Sequence, residues 1–302
     1  MGKIAFVFSG QGDQYVGMGK ELFDNYESAK SVFNKLDSIR SNTSTQCFEG
    51  NEEDLKQTKN TQPCLFAVEM AGAIVLKEKG IVPSYVAGFS LGEVVALTFA
   101  GYTTLEEGFN LVCKRGEIMQ QEAEKYKTSM VAVVKLSAEQ VKDLASKYNG
   151  VYPVNFNCPG NISVSGDAEQ ILQFSEDVKT IGGRAIPLKV KGAFHSPFMA
   201  MASNKFEKEI EKVHFKQPQI ELYSNYTANP YGENIKELLS KQISNPVLWE
   251  EIIKNMINSG VDTFIEIGPG RTLTNMIGKI SSDVKAYSIS NLEQILNEVK
   301  ND

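Results

Sequence analysis

The sequence predicts an α/β fold with a mainly parallel sheet. Short apolar runs rich in Val, Ile, Phe and Tyr alternate with longer stretches of helical period, as expected for strands joined by helical crossovers. A G-x-S-x-G motif at residues 88–92 follows one apolar run and is typical of the elbow of hydrolase-like α/β domains. With 302 residues, the chain can form one large domain or two unequal ones.

The large domain takes its elements from both ends of the chain. At the N-terminal end, apolar runs predict the strands Lys3–Phe8 and Tyr85–Phe89. Helical periodicity predicts the helices Gln62–Lys79, Leu91–Phe99 and Leu105–Glu122. At the C-terminal end, the same criteria predict the helix Phe198–Lys212, the strand Ile220–Ser224, the helix Pro246–Ser259, the strand Thr263–Ile267 and the helix Arg271–Ile280.

The middle third has a different order of elements. Its predicted elements run Met130–Leu136, Ala138–Lys147, Tyr152–Asn157, Ile162–Ser165, Ala168–Ile181 and Arg184–Val190. This order is β-α-β-β-α-β, which is the ferredoxin-like pattern. We therefore expect residues 1–127 and 193–302 to form a hydrolase-like catalytic domain and residues 128–192 to form an inserted ferredoxin-like α+β subdomain. A ligand is expected in the cleft between them.

Composition and charge exclude several classes of function. Lys+Arg 31 against Asp+Glu 37, with a formal charge of -6 and no basic cluster, argue against nucleic-acid binding. The two histidines and four cysteines show no metal-ligand spacing, so we expect no structural metal site. The sequence also shows no membrane span, no signal peptide and no disulfide framework. We expect a cytoplasmic protein that does not enter a membrane.

Ser90 is the candidate nucleophile. It stands at the centre of Gly88-Phe89-Ser90-Leu91-Gly92, where a predicted strand ends and an apolar helix starts. A sharp strand-to-helix turn exposes the serine hydroxyl, and the flanking glycines let neighbouring backbone pass close by. The amide of Leu91 can help to stabilise an oxyanion, because a helix N-terminus favours negative charge. The alternative is an ordinary serine N-cap.

A serine needs a base to become nucleophilic, and histidine is the usual one. His195 lies in the loop VKGAFHSPFM at the predicted domain crossover, whereas His214 lies near lysines between a charged helix and a strand. We take His195 as the candidate base and His214 as a surface residue. No single acid between Ser90 and His195 can be selected to orient the histidine, and a backbone carbonyl is an equal alternative. These residues predict a Ser–His site for acyl transfer or hydrolysis.

Seven segments of the chain together resemble one family. They are FVFSGQGDQYVGMGKELF, GFSLGE, VCKRGEIMQ, NFNCPGNISVSG, GAFHSPFM, KQISNPVLWEEII and FIEIGPGRTLT. They stand in the order found in malonyl-CoA:acyl carrier protein transacylases and in the related acyltransferase domains of polyketide synthases. The resemblance covers nearly the whole chain, and it implies the same hydrolase-like fold with a ferredoxin-like insert.

The resemblance implies roles for five residues around the reacting atoms. Ser90 matches the family's nucleophile, which carries malonyl as an ester, and His195 matches its base. Gln11 matches the residue whose backbone N–H joins that of Leu91 in the oxyanion hole. Gln242 matches the position whose main-chain carbonyl orients the histidine. The chemistry implied in this way requires no cofactor and no metal.

Three further residues match the family's substrate-binding positions. Arg115 matches the arginine that pairs with the free malonyl carboxylate, a task that suits the planar, permanently charged guanidinium. Phe194 beside the histidine goes with malonyl rather than methylmalonyl in the resembling domains. Phe89 departs from the family, which usually has His before the nucleophile, and this leaves the details of the acyl pocket open. Asp13 replaces the usual Ser of the N-terminal motif.

The function implied is transfer of malonyl from malonyl-CoA to acyl carrier protein for fatty-acid biosynthesis, by a chain that we expect to be monomeric. The alternatives are a free-standing acyltransferase that serves a polyketide synthase and an acyl-carrier-protein acyl hydrolase. Carrier proteins are acidic and coenzyme A carries phosphates, so local positive charge should line the approach of both partners. Arg184, Lys189 and Lys191 are the candidates, and a solvated strand face is an equal explanation for them.

Overall fold

The computed structural model describes residues 2–190 and 192–299. Strands and helices alternate as expected, and the strands form two separate sheets. The strands are β1 (Lys3–Phe8), β2 (Tyr85–Gly88), β3 (Thr128–Val134), β4 (Val151–Cys158), β5 (Asn161–Asp167), β6 (Arg184–Pro187), β7 (Glu221–Leu222), β8 (Val261–Ile267) and β9 (Lys285–Ser288).

The helices surround the two sheets. They are α1 (Lys20–Asn25), α2 (Glu27–Asp37), α3 (Thr43–Glu49), α4 (Glu52–Leu55), α5 (Thr58–Glu78), α6 (Leu91–Phe99), α7 (Leu105–Ala123), α8 (Ala138–Ala145), α9 (Ala168–Thr180), α10 (Ala200–Ile210), α11 (Ile235–Gln242), α12 (Trp249–Asn258), α13 (Thr272–Ile280) and α14 (Leu292–Glu298). Single turns of 3-10 helix lie at Pro197–Met199 and Ile289–Asn291.

The larger sheet is parallel throughout, with strand order β7-β2-β1-β8-β9. Alternate side chains of the central strand β1 point to opposite faces. Phe6 and Phe8 join the apolar core that includes α5, α6 and α7, whereas Ala5 and Val7 join the core formed with α12 and α13. Phe8 pairs with Gly88 at the carboxyl ends of β1 and β2. The loops that follow these two strands therefore meet at one edge of the sheet, where α/β folds bind their ligands.

The smaller sheet is antiparallel, with strand order β4-β5-β3-β6. It has its own apolar core with α8 and α9 on one side, which includes Val133, Val164 and Phe174. Its edge strand β4 also pairs with a segment that lies outside the small sheet. Val247 donates through its N–H to Val154 O at 2.8 Å and accepts from Phe156 N at 2.9 Å. The segment that follows α11 therefore runs beside the small sheet as a short extra strand.

The expectation of an α/β fold with a parallel sheet is confirmed, and several bounds differ from the predicted ones. The strand Lys3–Phe8 and the helix Leu91–Phe99 have the predicted bounds. The predicted strand Ile220–Ser224 is reduced to the two residues of β7, and the strand predicted to end at Val190 ends at Pro187, which has no N–H to donate to the ladder. The prediction missed strand β9, because KAYS is short and polar for an apolar run.

The missed helices are mostly short. The structure adds α1 to α4 between β1 and α5, α11 before Val247, and α14 at the carboxyl end. Most of these span one or two turns, which is too short for a helical period to stand out. No helix in the described residues is long and apolar enough to cross a membrane. The same ranges contain no group of three or more His, Cys, Asp or Glu side chains arranged to hold a metal ion.

Candidate active site

Ser90 lies on a strained turn between β2 and α6. Its backbone has φ 55° and ψ -106°, a conformation that is costly for a residue with a side chain. Both motif glycines are required by close packing. A Cβ on Gly88 would lie 1.9 Å from the carbonyl carbon of Gly92, and a Cβ on Gly92 would lie 2.4 Å from Phe8 O. The G-x-S-x-G spacing therefore reflects backbone segments that touch on both sides of the serine.

His195 contacts Ser90 directly. His195 Nε2 lies 2.7 Å from Ser90 Oγ, and His195 Nδ1 lies 2.9 Å from the carbonyl oxygen of Gln242. Because a carbonyl oxygen can only accept, Nδ1 carries the proton and Nε2 is the free acceptor that faces the serine. The His195 backbone N–H also donates to Ile243 O at 3.2 Å. The orienting group of the histidine is thus a backbone carbonyl and not an acid.

Burial keeps His195 neutral. The side chain is almost fully buried, and this burial, together with the nearby Arg115 charge, lowers the pKa of His195 to about 4. At neutral pH the imidazole therefore has a free lone pair on Nε2, as a general base requires.

This pKa predicts an unusually low acid limit for the reaction of Ser90. The kcat/KM for acylation of Ser90 should stay close to its maximum at pH 6 and fall to half near pH 4, because His195 is protonated only there. An ordinary histidine would give the half-maximum near pH 6.5. The measurement is a pH profile of ester formation, with enzyme returned to pH 7 after each exposure to exclude irreversible loss. A half-maximal kcat/KM at pH 6 or above would contradict the assignment of His195 as a base with a lowered pKa.

Arg115, on α7, is fully buried beside the serine. Its Nη1 donates to Gln62 Oε1 at 2.8 Å, and its Nη2 donates to Gln242 Oε1 at 2.7 Å and to Ser90 Oγ at 3.2 Å. Burial lowers the pKa of Arg115 to about 10, so the guanidinium is positive at neutral pH. All three of these partners are uncharged. The site therefore holds a buried cation next to the nucleophile, and a carboxylate is its natural complement.

One small cavity brings most of the predicted residues together. Its volume is about 90 Å³, well below the roughly 300–1,000 Å³ of pockets for drug-sized ligands. The lining includes seven of the eight predicted site residues: Gln11, Phe89, Ser90, Leu91, Arg115, Phe194 and His195. The eighth, Gln242, is not part of this lining but contacts two residues that are, His195 and Arg115. A cavity of this size suits a short acyl group.

The loop after β1, which carries Gln11, lies against the elbow. A Cβ on Gly10 would lie 2.9 Å from the Phe89 ring and 3.0 Å from its carbonyl oxygen, so this loop passes directly over the elbow. Gln11 follows, and its side chain donates to Thr58 Oγ1 at 3.3 Å. Leu91 is the first residue of α6, where backbone N–H groups have no acceptor within the helix.

The two phenylalanines occupy different walls of the cavity. Phe89 packs edge-on against Trp249, with ring centroids 5.5 Å apart. Phe194 is nearly buried and lies against Gly192, where a Cβ would come within 3.1 Å of its ring. Both rings are apolar and line the cavity that also contains Ser90 and His195.

Two polar residues that contact the site carried no signal in the sequence. Gln62 holds Arg115, and Asn225 hydrogen-bonds the backbone on both sides of Phe89, the residue before the nucleophile. Only proximity in the fold distinguishes these two from other polar residues. Asn155 and Asn157 both belong to the segment NFNCPGNISVSG. Asn155 lines the cavity, whereas Asn157 donates to the side chains of Asn161 and Ser163.

The remaining candidates lie at the surface or outside the described residues. His214 is exposed in the segment that follows α10, in agreement with its interpretation as a surface residue. Arg184 and Lys189 are exposed. Lys191 lies outside the described residues. A role of these cations in guiding the partners stays a prediction.

Comparison with known proteins agrees with this geometry. Residues 5–292 match the family described as acyl transferase domain. A malonyl CoA-acyl carrier protein transacylase of Bacillus subtilis (strain 168) is 39% identical over 303 residues, which cover 98% of this chain and 96% of the relative. The relative of the same name from Synechocystis sp. (strain ATCC 27184 / PCC 6803 / Kazusa) is 35% identical over 295 residues, which cover 97% and 99% of the two chains.

Solved structures give the same result. The malonyl CoA-acyl carrier protein transacylase of Clostridium perfringens ATCC 13124 superposes with a TM-score of 0.96 at 38% identity, over 99% of this chain and 98% of that chain. A malonyl-transacylase solved in complex with a type II polyketide synthase acyl-carrier protein superposes with a TM-score of 0.95 at 31% identity, over 99% and 100%. The chain belongs to the acyl transferase domain family and, within it, to the malonyl CoA-acyl carrier protein transacylases.

Proposed function

We propose that this chain transfers malonyl from malonyl-CoA to the phosphopantetheine thiol of an acyl carrier protein through an ester on Ser90, for fatty-acid biosynthesis. The observation that carries the proposal is the position of Arg115. Its buried guanidinium donates to Ser90 Oγ, and the same oxygen contacts His195 Nε2. A nucleophile beside a carboxylate-binding cation suits an acyl group with a free carboxylate. The names of the relatives support the same substrates.

In the first half-reaction, Ser90 Oγ attacks the thioester carbonyl carbon of malonyl-CoA while His195 Nε2 accepts the serine proton. We assign the backbone N–H groups of Gln11 and Leu91 to the resulting oxyanion. When the tetrahedral intermediate collapses, its C–S bond breaks. The departing coenzyme A thiolate takes the proton from His195, which leaves a malonyl-Ser90 ester and a neutral histidine.

The second half-reaction reverses these steps with another thiol. The phosphopantetheine thiol gives its proton to His195 and attacks the ester carbonyl, the bond to Ser90 Oγ breaks, and the serine recovers its proton from His195. The kinetics are therefore ping-pong. Atoms and protons balance in both halves without a metal or cofactor, and we infer that none is required. Because the thioester exchange is nearly balanced in energy, the main tasks are to hold the oxyanion and exclude water.

The walls of the cavity support malonyl as the acyl group. We assign the malonyl carboxylate to Arg115, which would exchange its contact with Ser90 Oγ for a charged partner. Phe194 and Phe89 bound the space around the α-carbon, and we propose that they leave little room for an additional methyl group. Discrimination by one methyl group is modest, about 10- to 200-fold.

A surface groove continues from the cavity and suits the pantetheine arm. Its volume is about 410 Å³. Gln11, Leu188 and Val190 line both the groove and the cavity, and Lys189 lines the groove. We infer that both thioester substrates enter along this groove, with Lys189 near their negative groups.

We further interpret the architecture as a hydrolase-like domain, residues 1–127 and 193–302, that carries a ferredoxin-like subdomain, residues 128–192. The parallel sheet and the strained turn at Ser90 support the first assignment. The antiparallel order β4-β5-β3-β6 with two helices on one face supports the second. A monomeric state, a cytoplasmic location and the absence of nucleic-acid or membrane partners remain predictions.

Intact-mass spectrometry tests the proposal. Incubation with malonyl-CoA should give one malonyl adduct, acetyl-CoA should give little adduct, and addition of phosphopantetheinylated carrier protein should move the malonyl group to the carrier. Ser90→Ala should give no adduct. An adduct that persists in Ser90→Ala, or no adduct on the wild-type chain, would refute the proposal. Loss of malonyl to water without transfer would favour the acyl-hydrolase alternative.

One observation favours a second candidate with the same chemistry. The structure solved with a polyketide synthase carrier is about as similar to this chain, at 31% identity, as several solved transacylases at 30% to 38%. A free-standing acyltransferase of a polyketide synthase would prefer the carrier of that pathway. Comparison of kcat/KM for fatty-acid and polyketide carrier proteins from the host separates the two pathways.

A further inference from the structure

Asn225 bridges the backbone groups on both sides of Phe89, the residue before the nucleophile. It lies three residues after β7 and is fully buried. Its side-chain Nδ2 donates to Gly88 O at 2.6 Å, and its Oδ1 accepts from Ser90 N at 2.8 Å. A single carboxamide thus satisfies the backbone groups on both sides of Phe89, as a neighbouring strand would.

The elbow needs such support because its conformation is unfavourable by itself. A non-glycine residue in a sparsely populated backbone region costs about 1–3 kcal/mol and persists only where its surroundings hold it. Ser90 is in such a region, with φ 55°. A second contact comes from Gln242, whose Nε2 donates to Ser90 O at 2.6 Å. Asn225 and Gln242 therefore hold the peptide groups on both sides of the Ser90 Cα.

Asn225 is itself held by the helix that follows the serine. Its backbone N–H donates to Glu93 Oε1 at 2.9 Å, and Tyr231 OH donates to the same oxygen at 2.8 Å. Its carbonyl oxygen accepts from Leu248 N at 2.9 Å. Glu93 is fully buried, one turn after Ser90 on α6. The contacts close a ring from the elbow through Asn225 and Glu93 back to the elbow helix.

We propose that Asn225 is a positioning residue for acyl transfer. It holds the Ser90 backbone so that Oγ stays within hydrogen-bonding distance of His195 Nε2, and Glu93 and Tyr231 hold Asn225 in turn. The role rests on the proposed function of Ser90 as the nucleophile. It predicts an effect on the reaction rate of the serine, whereas a purely structural role predicts an effect on stability alone.

The first test replaces Asn225 by Ala and measures the reactivity of Ser90 with two probes. One probe is malonyl-CoA at saturation, followed by rapid-quench intact mass. The other is a fluorophosphonate, which labels an activated serine without any need for malonyl recognition. Both rates should fall about 100-fold, the typical cost of a small misplacement of reacting groups. The malonyl-CoA concentration for half-maximal rate should stay within threefold, because no substrate contact is removed.

Asn255→Ala is the matched control. Asn255, on α12, is partly buried and donates its Nδ2 to Ala228 O at 2.9 Å, so it supports the same loop without contact to the elbow. Its loss should leave both rates within twofold of wild type. A fall equal to that of Asn225→Ala would overturn the proposal, because general loosening of the loop would then explain both effects.

The second test uses Asn225→Asp and pH. A protonated aspartic acid can still donate to Gly88 O and accept from Ser90 N, whereas an ionised one cannot donate. The ratio of the variant rate to the wild-type rate should therefore rise at least tenfold from pH 8 to pH 5. The titratable groups around this position are Glu93 on α6, Arg115 on α7, His195 and Tyr231. They are present in both proteins, so the ratio cancels the part of their titration that the two proteins share.

The outcomes separate this role from the proposed function. Wild-type fluorophosphonate rates in both Asn225 variants would overturn the positioning role. A flat Asn225→Asp ratio between pH 8 and pH 5, together with a loss of rate, would overturn it too, even where Asn225→Ala is too unstable to measure. A wild-type chain that reacts with the fluorophosphonate but not with malonyl-CoA would refute the proposed substrate and leave the positioning role to be decided by the variants.

Discussion

Replacement of His195 by Ala is expected to lower the rate of malonyl-Ser90 formation by about 10⁴- to 10⁶-fold, as for other paired nucleophiles and bases. This corresponds to about 5–8 kcal/mol of lost transition-state stabilisation. The reason is that Ser90 Oγ, 2.7 Å from His195 Nε2, then has no base. Arg115 donates to the same oxygen and cannot accept its proton. The measurement is single-turnover ester formation by quenched-flow mass spectrometry.

The chain offers a strict control for this variant. His214→Ala removes the other of its two histidines, which is exposed in the segment after α10, and should leave the rate within twofold of wild type. The pH profile adds a second check, because the acid limit near pH 4 should vanish in His195→Ala. A loss below 100-fold in His195→Ala would show that another group accepts the proton.

Arg115→Met should reverse the preference of the enzyme for its acyl group. Methionine keeps much of the length of the side chain and removes the charge and all three hydrogen bonds to Gln62, Gln242 and Ser90. Truncation of one partner of a buried charge pair costs about 2–5 kcal/mol, so kcat/KM for malonyl-CoA should fall about 30- to 4,000-fold. For acetyl-CoA it should rise or stay equal, because an uncharged acyl group no longer meets an unpaired cation.

Lys114→Met is the matched control for this substitution. Lys114 precedes Arg115 on α7, but its half-exposed amine pairs with Glu117 at 2.9 Å. The exchange should leave the ratio of malonyl to acetyl kcat/KM unchanged. Equal losses for both substrates in Arg115→Met would contradict carboxylate recognition and would indicate a general collapse of the site.

The sequence alone predicted those features of the fold and the site whose physical cause lies within one short segment. Gly88 of the elbow is such a case, because a Cβ there would meet the backbone of Gly92 within the same motif. The run from Ala5 to Phe8 in β1 is another, since burial on both faces demands apolar residues at each of these positions. The pairing of Ser90 with His195 also followed from the sequence, since the chain offered only two histidines and one lay near the predicted cleft.

The sequence did not predict the features that depend on contacts between distant segments of the chain. Asn225 acts on Ser90 from 135 residues away, and nothing in SNYTAN distinguishes it from an ordinary turn asparagine. In the sequence, Gln62 is one polar residue of an apolar helix. Only the fold shows that it accepts a hydrogen bond from Arg115 on α7. The Gln242 side chain was also missed. The resemblance assigned its carbonyl to the histidine, whereas its amide contacts Arg115 and Ser90 as well.

The short strand-like segment at Val247 has a mechanical consequence. It is hydrogen-bonded to β4 of the small sheet, and only four residues lie between it and Gln242, whose carbonyl oxygen accepts from His195 Nδ1. The loop of the histidine is tied to the same sheet, because Ser165 on β5 donates to Phe194 O at 3.3 Å. A small sheet that tilts away to widen the cleft must therefore pull on both supports of the base. A displacement of the small sheet that changes the width of the cleft therefore also changes the position of His195.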